Sequence, residues 1–204
     1  TGDMDAADFA FSLTGGTAQL AKKFPSSVSG SGTKTILLGV SLTGKANGNE
    51  VLTVKPAEGA IFDKPGNLTL TSQKNNTIAL TDKVVPHYLS SSIDPSNKSV
   101  TLKFNEKVFT KADGTGTLDA TDFALTLSGG TAKLAEGKPD SIKAIDNIYT
   151  LFFSLIGVAD GSEQLVFQPN SSAIFDSTGN KASTTQNFSK LTLNDKAPPI
   201  IKSL

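Results

Sequence analysis

The sequence predicts an all-β protein built from tandem antiparallel β-sandwiches, and three observations carry that expectation. The first is an internal repeat: DATDFALTLSGGTAKLA, Asp119 to Ala135, already occurs as DAADFAFSLTGGTAQLA, Asp5 to Ala21, with twelve of seventeen positions identical. Self-similarity at a fixed period marks a repeat architecture. The second is a succession of short apolar/polar alternations separated by turn residues at spacings of about 8 to 12 residues, the pattern of a two-sheet sandwich. The third is composition: the 204 residues include 18 Gly and are rich in Ser and Thr, which favours strands joined by turns.

The repeat offset is 114 residues at the opening stretch and 113 after one residue is lost near Ser29–Thr33. In the complete copy, SVTLKFN (Ser99 to Asn105) points Val100, Leu102 and Phe104 inward. Phe123, Leu125 and Leu127 line one face of the next strand, and Tyr149, Leu151, Phe153 and Leu155 one face of IYTLFFSL. EQLVFQP turns Leu165 and Phe167 inward, and FSKLTLN closes the unit. In the first copy the equivalent inward positions are Ile36, Leu38, Val40 and Leu42.

Because Thr1 corresponds to Thr115, the first copy is expected to lack counterparts of Val84 to Gly114. APPIIKSL at the other end matches VVPHYLSS at the start of the second copy. The domains are therefore read as 1–82, a repeat without its first two strands; 83–196, a complete repeat; and 197–204, the first strand of another. A sandwich short of two strands exposes sheet edges. The expected partners are thus neighbouring repeats of the same or an identical chain, with strand donation as one solution.

Charge and cysteine content exclude several classes. Lys plus Arg and Asp plus Glu stand at 19 each, so there is no basic field for nucleic acid or anionic lipid. Without Cys there is neither a disulfide framework nor a thiolate metal site. No apolar run approaches the roughly 18 residues of a membrane span, so no membrane insertion is expected of this segment. TGDMDAADF does not read as a signal peptide, and the chain is expected to be a window on a longer one.

FNEKV, DFALTLSGGTAKL, SLIGVADGSEQLVFQP, AIFDSTGN and LTLNDKAPP together resemble the bacterial Ig-like repeats found in tandem in very large cell-surface proteins. The resemblance is strongest to the swimming-associated cell-surface repeat of marine bacteria. It implies an Ig-like sandwich in an extracellular stalk, adhesin or surface layer, and it does not imply an enzyme.

No catalytic residue is expected. The single histidine, His87, sits beside Pro86, and Ile200 takes its place in the following copy. No serine lies in a GxSxG elbow.

The carboxylates are the chemistry-bearing set. Asp113, Asp119 and Asp122 punctuate a Gly-rich loop, with Asp3, Asp5 and Asp8 in the same region of the first copy. Calcium takes several oxygens from such loops, whereas Asp119 with Asp122 three residues on is equally a capping pair for one helical turn. Asp176 and Asn180 match Asp63 and Asn67 and read either as calcium ligands or as turn residues satisfying backbone amides. Asp82 and Asp195 stand at the junctions, where Glu106, or Asp160 with Glu163, would assist an ion. The calcium candidates are thus Asp113, Asp119, Asp122, Asp176, Asn180 and Asp195. Glycosylation sequons occur at Asn67, Asn75, Asn97, Asn170 and Asn187.

The functional expectation is a structural or adhesive repeat acting as a spacer or assembly unit at the cell surface. The alternatives are a module binding a glycan or protein, and an accessory domain of a secreted enzyme.

Overall fold

The computed structural model describes residues 2–171 and 173–201. The chain divides into two compact units, Thr1–Val84 and Val85–Leu204. No α-helix forms among the described residues, so none is long and apolar enough to cross a membrane. Of the expected strand 197–204, residues 197–201 form no strand and 202–204 lie outside the described residues.

The first unit contains β1 (Phe9–Thr14), β2 (Gln19–Leu20), β3 (Val28–Ser29), β4 (Leu37–Leu38), β5 (Leu42–Thr43), β6 (Val51–Pro56) and β7 (Thr77–Ala79). The second contains β8 (Tyr88–Ile93), β9 (Ser99–Phe104), β10 (Phe123–Ser128), β11 (Lys133–Leu134), β12 (Ser141–Ile145), β13 (Ile148–Phe152), β14 (Leu155–Ile156), β15 (Gln164–Pro169) and β16 (Lys190–Thr192). All pairings between these strands are antiparallel.

In the second unit a three-stranded sheet, β10-β15-β16, and a four-stranded sheet, β12-β13-β9-β8, contribute to one apolar core. The alternation expected for Ser99–Asn105 is realised, because Val100, Leu102 and Phe104 are all completely buried. Phe123 and Leu125 from β10 and Leu165 and Phe167 from β15 belong to the same core. Tyr88 meets Phe104 edge-on at a 4.9 Å ring separation, and Phe104 meets Tyr149 likewise at 5.6 Å, an arrangement favoured by the ring quadrupoles.

IYTLFFSL does not run as one strand. It leaves the larger sheet after Phe152, and Leu155 enters β14, which pairs with β11. The change of sheet is anchored where Phe153 N–H donates to Lys98 O and Ala135 N–H donates to Ser154 O.

The first unit repeats part of this plan. Its β1-β6-β7 sheet has the register of β10-β15-β16, with Phe9 opposite Pro56 as Phe123 is opposite Pro169. The β2-β5 pair matches β11-β14. Of the larger sheet only β3-β4 is present, with no strand beyond β4 among the described residues. Two residues pair in β4 where five pair in β13, which has strands on both sides. The buried apolar residues of this unit include Phe11, Ala18, Ala46 and Leu52. Ile36 and Leu38 are half-buried and Val40 is exposed, whereas their counterparts Tyr149, Leu151 and Phe153 are core.

Candidate functional site

Two glutamates at equivalent positions, Glu50 and Glu163, are completely buried just before β6 and β15. Glu163 Oε1 accepts the N–H groups of Thr131 at 2.9 Å, Ala132 at 3.0 Å and Asp160 at 3.3 Å. Its Oε2 accepts those of Asp160 and Gly161, both at 3.1 Å. Glu50 repeats the clasp with Thr17 at 2.7 Å, Ala18 at 2.9 Å and Asn47 at 2.9 Å. Burial pushes each carboxyl up, and the amide donors together more than offset it, so both pKa values are lowered. These carboxylates tie the Gly-Gly turn to the start of β6 in the first unit and of β15 in the second.

Glu163, which with Asp160 is expected to assist a junction ion, is held in this clasp instead. The signal lies in the repeat itself: a Gly-Gly pair and a downstream Glu recur together, at Gly15-Gly16 with Glu50 and at Gly129-Gly130 with Glu163.

Asp119 and Asp122 form a reciprocal capping box around the 3-10 turn Ala120–Asp122. Asp119 Oδ1 accepts Thr121 N–H at 2.7 Å, and Asp122 Oδ2 accepts Asp119 N–H at 2.7 Å. The Thr121 hydroxyl and amide hold the Asp119 carboxyl below the usual range, while burial raises that of Asp122. Asp5 and Asp8 repeat the box around Ala6–Asp8, and Asp3 is exposed. Asp113 accepts the amide and hydroxyl of Thr115, chiefly the hydroxyl lowering its pKa.

Asp176 and Asn180 close a turn upon themselves. Asn180 donates its N–H to Asp176 Oδ1 at 2.8 Å and its side-chain amide to Oδ2 at 2.7 Å. Thr178 adds its N–H at 2.8 Å. Asn67 and Asp63 repeat the paired contact at 2.7 and 2.8 Å, with Gly66 and Gly179 both at positive φ. Within the second unit, Glu106 and Asp176 bring carboxylate oxygens within 4.8 Å of each other. Asp113, Asp119, Asp122 and Asp195 join no such cluster of three ligand groups among the described residues.

The linker carboxylates are used alike in both units. Asp82 Oδ1 accepts Val84 N–H and Asp195 Oδ1 accepts Ala197 N–H, each at 2.8 Å. Lys83 N–H donates to Ala46 O at 2.7 Å, as Lys196 N–H does to Ala159 O at 2.8 Å. His87 is exposed, its ring Nδ1 3.1 Å from Val85 O.

A groove of about 580 Å³ in the second unit is lined by Phe153, Leu155, Gly157, Val158, Ala159 and Lys196, among others. The equivalent residues of the first unit, including Val40, Leu42, Gly44, Ala46 and Lys83, line one of about 340 Å³.

No family model matches the chain, and neither a curated protein nor a solved structure matches it.

Proposed function

We propose that the chain is a stretch of a tandem array of Ig-like sandwiches serving as a structural or adhesive spacer in a long extracellular surface protein. One observation carries this reading: each unit fastens its own exit segment in the same way. The Asp82–Val84 and Lys83–Ala46 bonds recur as Asp195–Ala197 and Lys196–Ala159. A chain leaving every unit along the same held path suits an array that gains length with copy number. The buried clasps and capping boxes also recur.

Calcium enters this reading as a stiffening ligand. In the second unit Glu106 and Asp176 are the better candidate pair, because their carboxylate oxygens lie within 4.8 Å of each other, whereas Asp113, Asp119 and Asp122 join no such cluster among the described residues. Those two carboxylates are a start towards the six to eight oxygens of a calcium shell.

The recurrence of an apolar groove with a lysine at its rim favours a second reading, a module that binds a glycan or protein. Surface-immobilised glycans and whole-cell adhesion, measured with the chain as analyte, separate the two. The spacer reading expects no saturable glycan binding that Val158→Asp abolishes; such binding would move the function to the groove.

A further inference from the structure

We infer that the first unit is a docking surface for a β-hairpin of the pattern carried by Val84–Gly114, whose strands cover β4 and whose following loop runs beside Phe62. The inference rests on the internal repeat and not on the proposed extracellular role. The second unit shows, in its own residues, what lies on the equivalent face.

The first support is one loop in two environments. AIFDKPGN and AIFDSTGN make the same Asp–Asn contacts, yet Asp176 is completely buried and Asp63 is exposed. In the second unit Phe175 exchanges backbone bonds with Phe109, N–H to O at 2.8 and 2.7 Å. The equivalent Phe62 is 56% exposed, and among the described residues it bridges only Leu68, on its other side.

The second support is a glutamine. Gln186 donates to Ser183 O and accepts Tyr88 N–H at 3.0 Å, which pins the first strand of the hairpin. Gln73, its counterpart, makes the same donation to Leu70 O but stands exposed. Its Oε1 is the counterpart of the atom that accepts Tyr88 N–H in the second unit.

The third support is the sheet edge. In the second unit β13 pairs with β9 so that Leu151 lies opposite Val100 and Tyr149 opposite Leu102. In the first unit the same edge of β4 has no partner strand among the described residues, and Val40 stands open where Phe153 is core. An open edge beside an apolar face is a template for strand addition. A second copy of the chain is a poor occupant, because its own Val84–Gly114 segment supplies Tyr88, Val100, Leu102, Phe104 and Val108 to its own core.

The test adds a synthetic peptide of residues Val84–Gly114 to the full chain and, in parallel, joins a second copy of those residues directly before Thr1. Amide hydrogen exchange is read at Leu38 and Phe62, with concentration-dependent sedimentation of the unmodified chain alongside. Slowing by at least tenfold at both amides in the joined chain, lost when the added copy carries Leu102→Asp, is the expected result. The peptide in trans is expected to reproduce it at saturation. Unchanged exchange in the joined chain overturns the inference. So does a dimer of the unmodified chain in which both amides are already slow, since a second copy would then be the occupant.

Discussion

A Cβ added to Gly130 would stand 2.2 Å from the carboxyl carbon of Glu163, and one added to Gly16 would stand 2.0 Å from that of Glu50. Both glycines also hold positive φ, at 56° and 61°. The Gly-Gly turn is therefore the space that the buried carboxylate occupies. Gly130→Ala is expected to destabilise the second unit by about 3 kcal/mol or more, since the clash meets a caged group and adds to the left-handed strain. Urea unfolding monitored by circular dichroism checks this; a loss under about 1 kcal/mol would mean the clasp yields easily.

Glu163→Gln keeps the shape but turns an acceptor into a donor among N–H groups. The expected loss is about 3 kcal/mol, because buried amides lose a charged acceptor. The sign with pH follows from the lowered pKa of Glu50 and Glu163. The stabilisation is fully present above the ordinary glutamate value of 4.5 and is lost as pH falls through the lower folded values. Urea midpoints between pH 7 and about pH 3 should fall less steeply in Glu163→Gln than in the unsubstituted chain. Parallel slopes would contradict the clasp as a source of acid sensitivity.

Phe188 is exposed and held at φ 57°, where the first unit places Asn75 at φ 58°. Asparagine tolerates that region better than an aromatic residue. Phe188→Asn is expected to stabilise by roughly 0.5–1 kcal/mol, read as a higher melting temperature. A lower melting temperature would show that the ring contributes packing that outweighs the strain.

The Tyr88 hydroxyl is buried without a hydrogen-bond partner among the described residues, which costs free energy that its ring contacts offset. Tyr88→Phe keeps the 4.9 Å contact with Phe104 and is expected to be neutral or stabilising by up to about 1 kcal/mol. Thermal unfolding decides it, a clear loss of stability counting against the reading.

Where calcium raises the melting temperature, Glu106→Gln is expected to remove that rise and Asp113→Asn to retain it. Paired scans with calcium and with chelator test the assignment. Retention in Glu106→Gln would return the ion to one of the capping loops.

Much of the fold is legible in the residues. Val100, Leu102 and Phe104 announce their strand by alternation, and Asp119 with Asp122 announces a cap by spacing. Glu163 does not announce itself, because a charged residue before a strand reads as solvated. Its burial depends on amides from Thr131 and Ala132, which are distant in the chain. Alternation also reports which side of a strand is apolar, not whether anything covers it. Ile36, Leu38 and Val40 therefore read as core, although in the structure the first two are half-buried and Val40 is exposed.

The spacer account is tested most directly by small-angle scattering from chains extended with one, two and three further copies of residues 84–196. Each copy carries the complete core and the same exit fastening through Asp195 and Lys196. The maximum dimension is expected to grow by one constant increment per added copy. A dimension that levels off as copies are added would show that the units fold back on one another, and the account would fail.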